Sequence, residues 1–279
     1  MGFLLLRNQV LKECFFLNLK CIFVLILNIF KIMNVKQYLD STYLKTASQA
    51  GISEADNRNI VIAAIDEAIA EGFKLVMIRP EYVAMAKEMI LQAQSQLLVG
   101  TVIDFPEGKS DLEEKIKEAN EAIKNGADDL DFVCNYNAFK NGDLALLKKE
   151  ILICTEIGLA HNKTVKWIIE VAALSDKEII QLSALIKNVV ISNFKEEDYA
   201  NVFVKSSTGF FKTENDLPNG ATIPSIIIML ENASPLPVKA AGGVRSYEDA
   251  IEMIRLGVKR IGTSAAKAIA NGENTANQY

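Results

Sequence analysis

Short apolar runs alternating with longer amphipathic stretches predict an α/β fold, a (β/α)8 TIM barrel in one domain behind an apolar N-terminal extension. Three observations carry this expectation. The runs are near-continuous and rich in β-branched residues, which suits strands covered on both faces. Residues at helical spacing follow them, which implies parallel strands joined by crossover helices. The chain has 279 residues, and a barrel of this kind takes roughly 250.

The extension is residues 1–32. Residues 21–30 are strongly apolar, and Arg7, Lys12 and Lys20 precede them. Asn18 and Lys20 leave the uninterrupted run short of the roughly 20 residues of a membrane span, and no small-residue cleavage pattern follows. An uncleaved anchor, a signal peptide and translation starting at Met33 are the three readings. The last is preferred, because barrel-like patterning begins directly after Met33. The barrel domain is then residues 33–279, with no membrane partner unless residues 1–32 are retained.

The elements follow in order. Residues 38–42 are the candidate first strand, and Ser53-Glu54 opens a helix carrying Ile60, Ile62 and Ile65. Residues 74–78 and 97–103 are the second and third strands. Leu112, Ile116, Ala119 and Ile123 recur at helical spacing within residues 111–124. The fourth strand is 130–133 and the fifth 165–170. Ser175 to Glu178 and Ser246 to Asp249 have the pattern of a capping box, which marks two helix starts. The last three strands are 202–205, 238–241 and 260–263. Leu217-Pro218-Asn219-Gly220 reads as a longer loop on the catalytic face.

Composition narrows the chemistry. Half the residues are hydrophobic, 23% are charged and the net charge is −5. That argues against nucleic acid or anionic membrane as the main partner, and an anionic substrate needs a local site. Cys14, Cys21, Cys134 and Cys154 match no zinc or redox spacing, and His161 lies in a polar stretch that reads as a surface loop. A zinc site and a serine hydrolase triad therefore lack their ligands and base. Lysine and carboxylate are left to do the chemistry.

Ligands in parallel α/β folds bind at the carboxyl ends of the strands. Lys205 ends the sixth run before Ser206-Ser207-Thr208-Gly209, and Lys239 lies in the seventh before Gly242-Gly243. Adjacent strands are about 4.8 Å apart, so the two ammonium groups could share a pocket. An unperturbed lysine is neutral in only about one molecule in a thousand at pH 7.4. Desolvation and a neighbouring cation lower its pKa and make a nucleophilic amine, which suggests Schiff-base chemistry. Asp131 alternates with Leu130 and Phe132; if those face the helices, Asp131 faces the barrel axis. Gly209, Gly242, Gly243 and Gly262, with Thr263-Ser264, suggest backbone donors for a phosphate group.

These residues resemble the motifs of deoxyribose-phosphate aldolases. Residues 204–210 are similar to the Schiff-base motif of that family, residues 238–245 to its second-lysine motif, and 126–131 to the segment with its essential aspartate. Asp40-Ser41-Thr42, Phe105-Pro106-Glu107-Gly108, Ile168-Ile169-Glu170 and Gly262-Thr263-Ser264 fit in order. The resemblance implies a class I aldolase that needs no metal or cofactor and reversibly cleaves 2-deoxy-D-ribose 5-phosphate to D-glyceraldehyde 3-phosphate and acetaldehyde, in the cytoplasm, during deoxyribonucleotide catabolism. By this carry-over Lys205 forms the imine, while Lys239 and Asp131 tune it and move protons. Asp40 and Thr42 lie near the substrate, Thr208 binds it, and Gly209, Gly242, Gly243 and Ser264 hold the phosphate. A homodimer is one option for assembly. Ser41 stands where many members have histidine and Ser206 where threonine is usual, and residues 212–218 look inserted. Tyr279 is placed as a terminal tyrosine that reaches the active site in some members, though a disordered tail is the preferred reading. The alternatives are another lysine-dependent sugar-phosphate aldolase and a non-catalytic phosphosugar-binding barrel.

Overall fold

The computed structural model describes residues 34–214 and 217–273. Eight parallel strands close into a barrel in chain order: β1 (Leu39–Thr42), β2 (Leu75–Ile78), β3 (Leu98–Ile103), β4 (Asp129–Val133), β5 (Thr164–Ile168), β6 (Val202–Lys205), β7 (Val238–Ala241) and β8 (Arg260–Thr263). All eight expected runs are strands. Closure comes from β1 beside β8, with Asp40 opposite Gly262. One run ends early: β5 stops at Ile168, because Glu170 takes a left-handed backbone (φ 56°, ψ 68°) that leaves the ladder.

A helix follows each strand: α1 (Glu54–Glu71), α2 (Val83–Gln92), α3 (Leu112–Lys124), α4 (Leu144–Ala160), α5 (Asp176–Asn193), α6 (Ile223–Ala233), α7 (Tyr247–Leu256) and α8 (Ala266–Ala270). The starts read from sequence are real caps. Ser53 and Asp111 accept from the backbone N–H three residues on, and Ser175 with Glu178 and Ser246 with Asp249 form reciprocal capping boxes. These bonds satisfy donors that the first turn leaves orphaned. No helix among the described residues is long and apolar enough to cross a membrane. Residues 1–32, with Cys14 and Cys21, and the tail with Tyr279 lie outside the described residues.

The main apolar layer lies between sheet and helices. Phe132 on β4 stacks on Trp167 of β5 with ring centroids 5.1 Å apart, and the Trp167 indole N–H donates to Thr155 of α4 at 3.0 Å. Leu130, Phe132, Trp167 and Val204 thus occupy the outward parity, and all are fully buried. The inward parity is divided. Leu75, Met77 and Val102 form an apolar cluster with Leu44 on the β2–β3 side. Each of the remaining strands carries a charged residue at an inward position, and these build the site.

Candidate active site

Lys205 and Lys239 are directly opposite each other in the β6–β7 register, so the two side chains leave the sheet side by side. Their Nζ atoms reach the same oxygen, Oδ2 of Asp131, at 2.8 and 2.9 Å. All three residues are buried. The parity argument for Asp131 therefore holds: Phe132 faces the helix layer and Asp131 the barrel axis. Gly262 on β8 makes room for this arrangement. A Cβ there would lie 3.1 Å from Cε of Lys239, tighter than ordinary carbon contact.

Two further cations, absent from the sequence-derived site, complete the cluster. Lys166, fully buried in β5, donates to Asp129 Oδ2 at 2.6 Å and to Asp131 Oδ1 at 2.8 Å. Arg260 at the start of β8 donates through Nε to Asp40 Oδ1 at 2.7 Å, and its Nη2 lies 3.3 Å from Asp129 Oδ2. Lys239 also pairs with Asp40 Oδ2 at 2.6 Å. Lys166, Lys205, Lys239 and Arg260 thus face Asp40, Asp129 and Asp131, four cations against three carboxylates. Lys166, Lys239 and Arg260 each touch two carboxylates, whereas Lys205 touches one. Lys205 is the cation with the least compensation.

The electrostatics follow. Burial, reinforced by Lys239 and Lys166 and opposed by Asp131, pulls the Lys205 ammonium down to about 8. Burial also works against Lys166, but Asp129, Asp131 and Asp40 outweigh it and raise its pKa. Asp131 is desolvated too, yet Lys166, Lys205 and Lys239 hold its carboxyl well below the usual range. With Lys205 as free amine, three cations balance three carboxylates. The cluster is then neutral in a region where an uncompensated charge is expensive.

Above the cluster is a cavity at the carboxyl ends of β1, β6, β7 and β8. Lys205, Thr42, Thr208, Gly209, Gly242, Gly243 and Ser264, all named from sequence, line it. Asp40 is set deeper than its expected place by the substrate: it is fully buried, held by Arg260 and Lys239, and outside the cavity wall. Thr208 lines the wall with its hydroxyl already committed to Glu170, whose carboxylate also accepts from the Thr208 N–H at 3.1 Å. Ser206 does not reach the cavity. Its hydroxyl donates to Ala241 O at 2.8 Å and accepts from Ala241 N at 2.9 Å, tying β6 to β7. Ser41 lies between inward-facing Asp40 and Thr42, so alternation turns it away from the axis. His161 is an exposed residue at the end of α4, and Cys134 and Cys154 are buried free thiols.

Residues 38–275 match the family described as DeoC/LacD family aldolase. A deoxyribose-phosphate aldolase of Thermococcus gammatolerans is 35% identical over 245 residues, covering 88% of this chain and 98% of the relative. One from Streptococcus pneumoniae is 36% identical over 248 residues, covering 88% of this chain and 100% of the relative. Among solved structures, the tetrameric deoxyribose phosphate aldolase of Aeropyrum pernix superposes with a TM-score of 0.66 at 26% identity, covering 85% of this chain and 89% of that one.

Proposed function

The chain belongs to the DeoC/LacD aldolase family, and from that premise we propose that it reversibly cleaves 2-deoxy-D-ribose 5-phosphate to D-glyceraldehyde 3-phosphate and acetaldehyde through an imine on Lys205. One observation carries the assignment of the nucleophile. Lys205 is the under-compensated cation of a buried cluster and the one whose side chain lines the cavity. A free amine there leaves the cluster neutral and has direct access to a carbonyl.

Its amine adds to C1 of the open-chain sugar, and loss of water gives the iminium. The C3 hydroxyl loses its proton and becomes the carbonyl of glyceraldehyde 3-phosphate as the C2–C3 bond breaks. The bond's electron pair passes through C2 and C1 to the iminium nitrogen, which leaves an enamine. Protonation at C2 and hydrolysis release acetaldehyde and restore the amine. Asp131, in contact with the Lys205 nitrogen at 2.8 Å, stabilises each cationic stage. Lys239, sharing that carboxylate, passes protons with it. Backbone N–H groups of Gly209, Gly242 and Gly243 and the Ser264 hydroxyl hold the phosphate, which an acidic protein would not otherwise attract. A homodimer and a cytoplasmic setting belong to the same proposal.

Borohydride reduction in the presence of acetaldehyde tests it. An N-ethyl adduct mapped to Lys205 is expected, and a Lys205→Leu variant should fold normally but lose turnover by about 10³-fold or more. Appreciable turnover in the folded variant would refute the assigned role. Absence of any adduct on the parent protein would favour a sugar-phosphate binder.

A further inference from the structure

The loop after β6 crosses the loop after β7 with almost no space between their backbones. Gly220 is buried, and a Cβ placed on it would lie 2.5 Å from the Cα, carbonyl carbon and oxygen of Gly242. The crossing is pinned by hydrogen bonds. The Ala221 N–H is shared between Gly242 O at 2.9 Å and Ala241 O at 3.1 Å, and the Asn219 side chain donates to Gly209 O at 3.3 Å. Gly242 itself has φ 78°, a conformation that depends on glycine. Asn219, Gly209 and Gly242 all line the cavity. Residues 219–221 therefore staple together the two loops that carry Gly209 and Gly242, which the proposed function makes the cradle of the phosphate.

We propose that Asn219 and Gly220 are positioning residues for the phosphate end of the substrate, acting through Gly209 and Gly242. This rests on the reading that the cradle takes a phosphate. The physical reason is distance. A methyl group at position 220 must move one backbone by roughly 1 Å to restore carbon contact. Hydrogen bonds to phosphate oxygens operate within about 2.7–3.2 Å, so a displacement of that size breaks them. Lys205 and Asp131 lie on β6 and β4, outside the crossing, so the imine step is left intact.

The test compares deoxyribose 5-phosphate with unphosphorylated 2-deoxyribose as substrates for the parent, Gly220→Ala and Asn219→Ala. For the phosphorylated sugar, Gly220→Ala is expected to raise KM about tenfold with little change in kcat, and Asn219→Ala to do so more weakly. For the unphosphorylated sugar, neither constant should change, and borohydride trapping of acetaldehyde should match the parent. If Gly220→Ala does not fold, the same split in Asn219→Ala decides. Parent-like KM for the phosphorylated sugar in the folded variants overturns the proposal while sparing the phosphate reading. An equal fall in kcat on both sugars overturns it as well, since that is a general structural effect. A parent enzyme that handles both sugars with equal KM overturns the phosphate reading itself, and the inference with it.

Discussion

Lys205 and Lys239 are chemically the same group at the same height in adjacent strands, yet their surroundings make them unlike. Lys239 sits between Asp40 and Asp131, and Lys205 has Asp131 alone. The sign of the pH effect follows from the direction of the shift. With its pKa near 8 rather than the ordinary lysine value of 10.5, Lys205 is mostly ammonium below pH 8 and mostly amine above it. About one tenth of molecules carry the free amine at pH 7. The initial rate of acetaldehyde trapping is therefore expected to rise with pH and level off above about 8. Lys239→Met removes a cation that pushes Lys205 down, so the inflection should move to higher pH; an unmoved inflection would sink the tuning role. At this scale the sequence was legible where charge met a glycine-rich strand end. It was not legible for Lys166 and Arg260. Both lie inside runs that read as ordinary strands, and the available signal was their parity, since each falls on the inward face with Asp131 and Lys239.

Elements were legible where local chemistry decides them. Strands covered on both faces read as near-continuous apolar runs, and helix starts need a side-chain acceptor. Ser175 shows the second rule: its hydroxyl accepts from Glu178 N–H while Glu178 Oε2 accepts from Ser175 N–H at 2.7 Å. Ser175→Ala should lower stability by about 1 kcal/mol, read as an earlier urea midpoint with unchanged activity per folded molecule. A wild-type midpoint would mean the cap is redundant. Element ends were less legible. The fifth strand stops short of Glu170 because that residue turns its carboxylate to Thr208 on the next loop, a contact 38 residues away in sequence. Residues 217–220 likewise read only as a longer loop in sequence, and the crossing of Gly220 with Gly242 reveals what it braces.

For the whole molecule, closure turns charges scattered along the chain into one cluster. Arg260 and Asp40 are 220 residues apart and adjacent across the β8–β1 seam. The consequence is a stability that depends on a buried polar network rather than on apolar layers throughout the barrel interior. Arg260→Leu leaves Asp40 and Asp129 short of a partner, and should cost about 3–5 kcal/mol in urea unfolding. A loss under about 1 kcal/mol would mean the remaining lysines compensate fully. The same closure gathers the strand-end glycines of β6 and β7 beside one cavity. The net charge is −5, and Gly209, Gly242 and Gly243, which the proposed function assigns to the phosphate, line the cavity above that cluster.

The sequence by itself determined the eight strands, the helix caps and the residues at the strand ends, because burial on two faces and orphaned N–H groups leave local marks. It also determined the chemistry available, since one histidine and unpatterned cysteines leave lysine and carboxylate. Only the tertiary structure decided how charge is shared: that Asp131 serves three lysines, that Asp40 pairs with Lys239, and that Lys205 is left with one carboxylate. Charge compensation depends on distances across a closed barrel, and those distances join residues that sequence separation keeps apart.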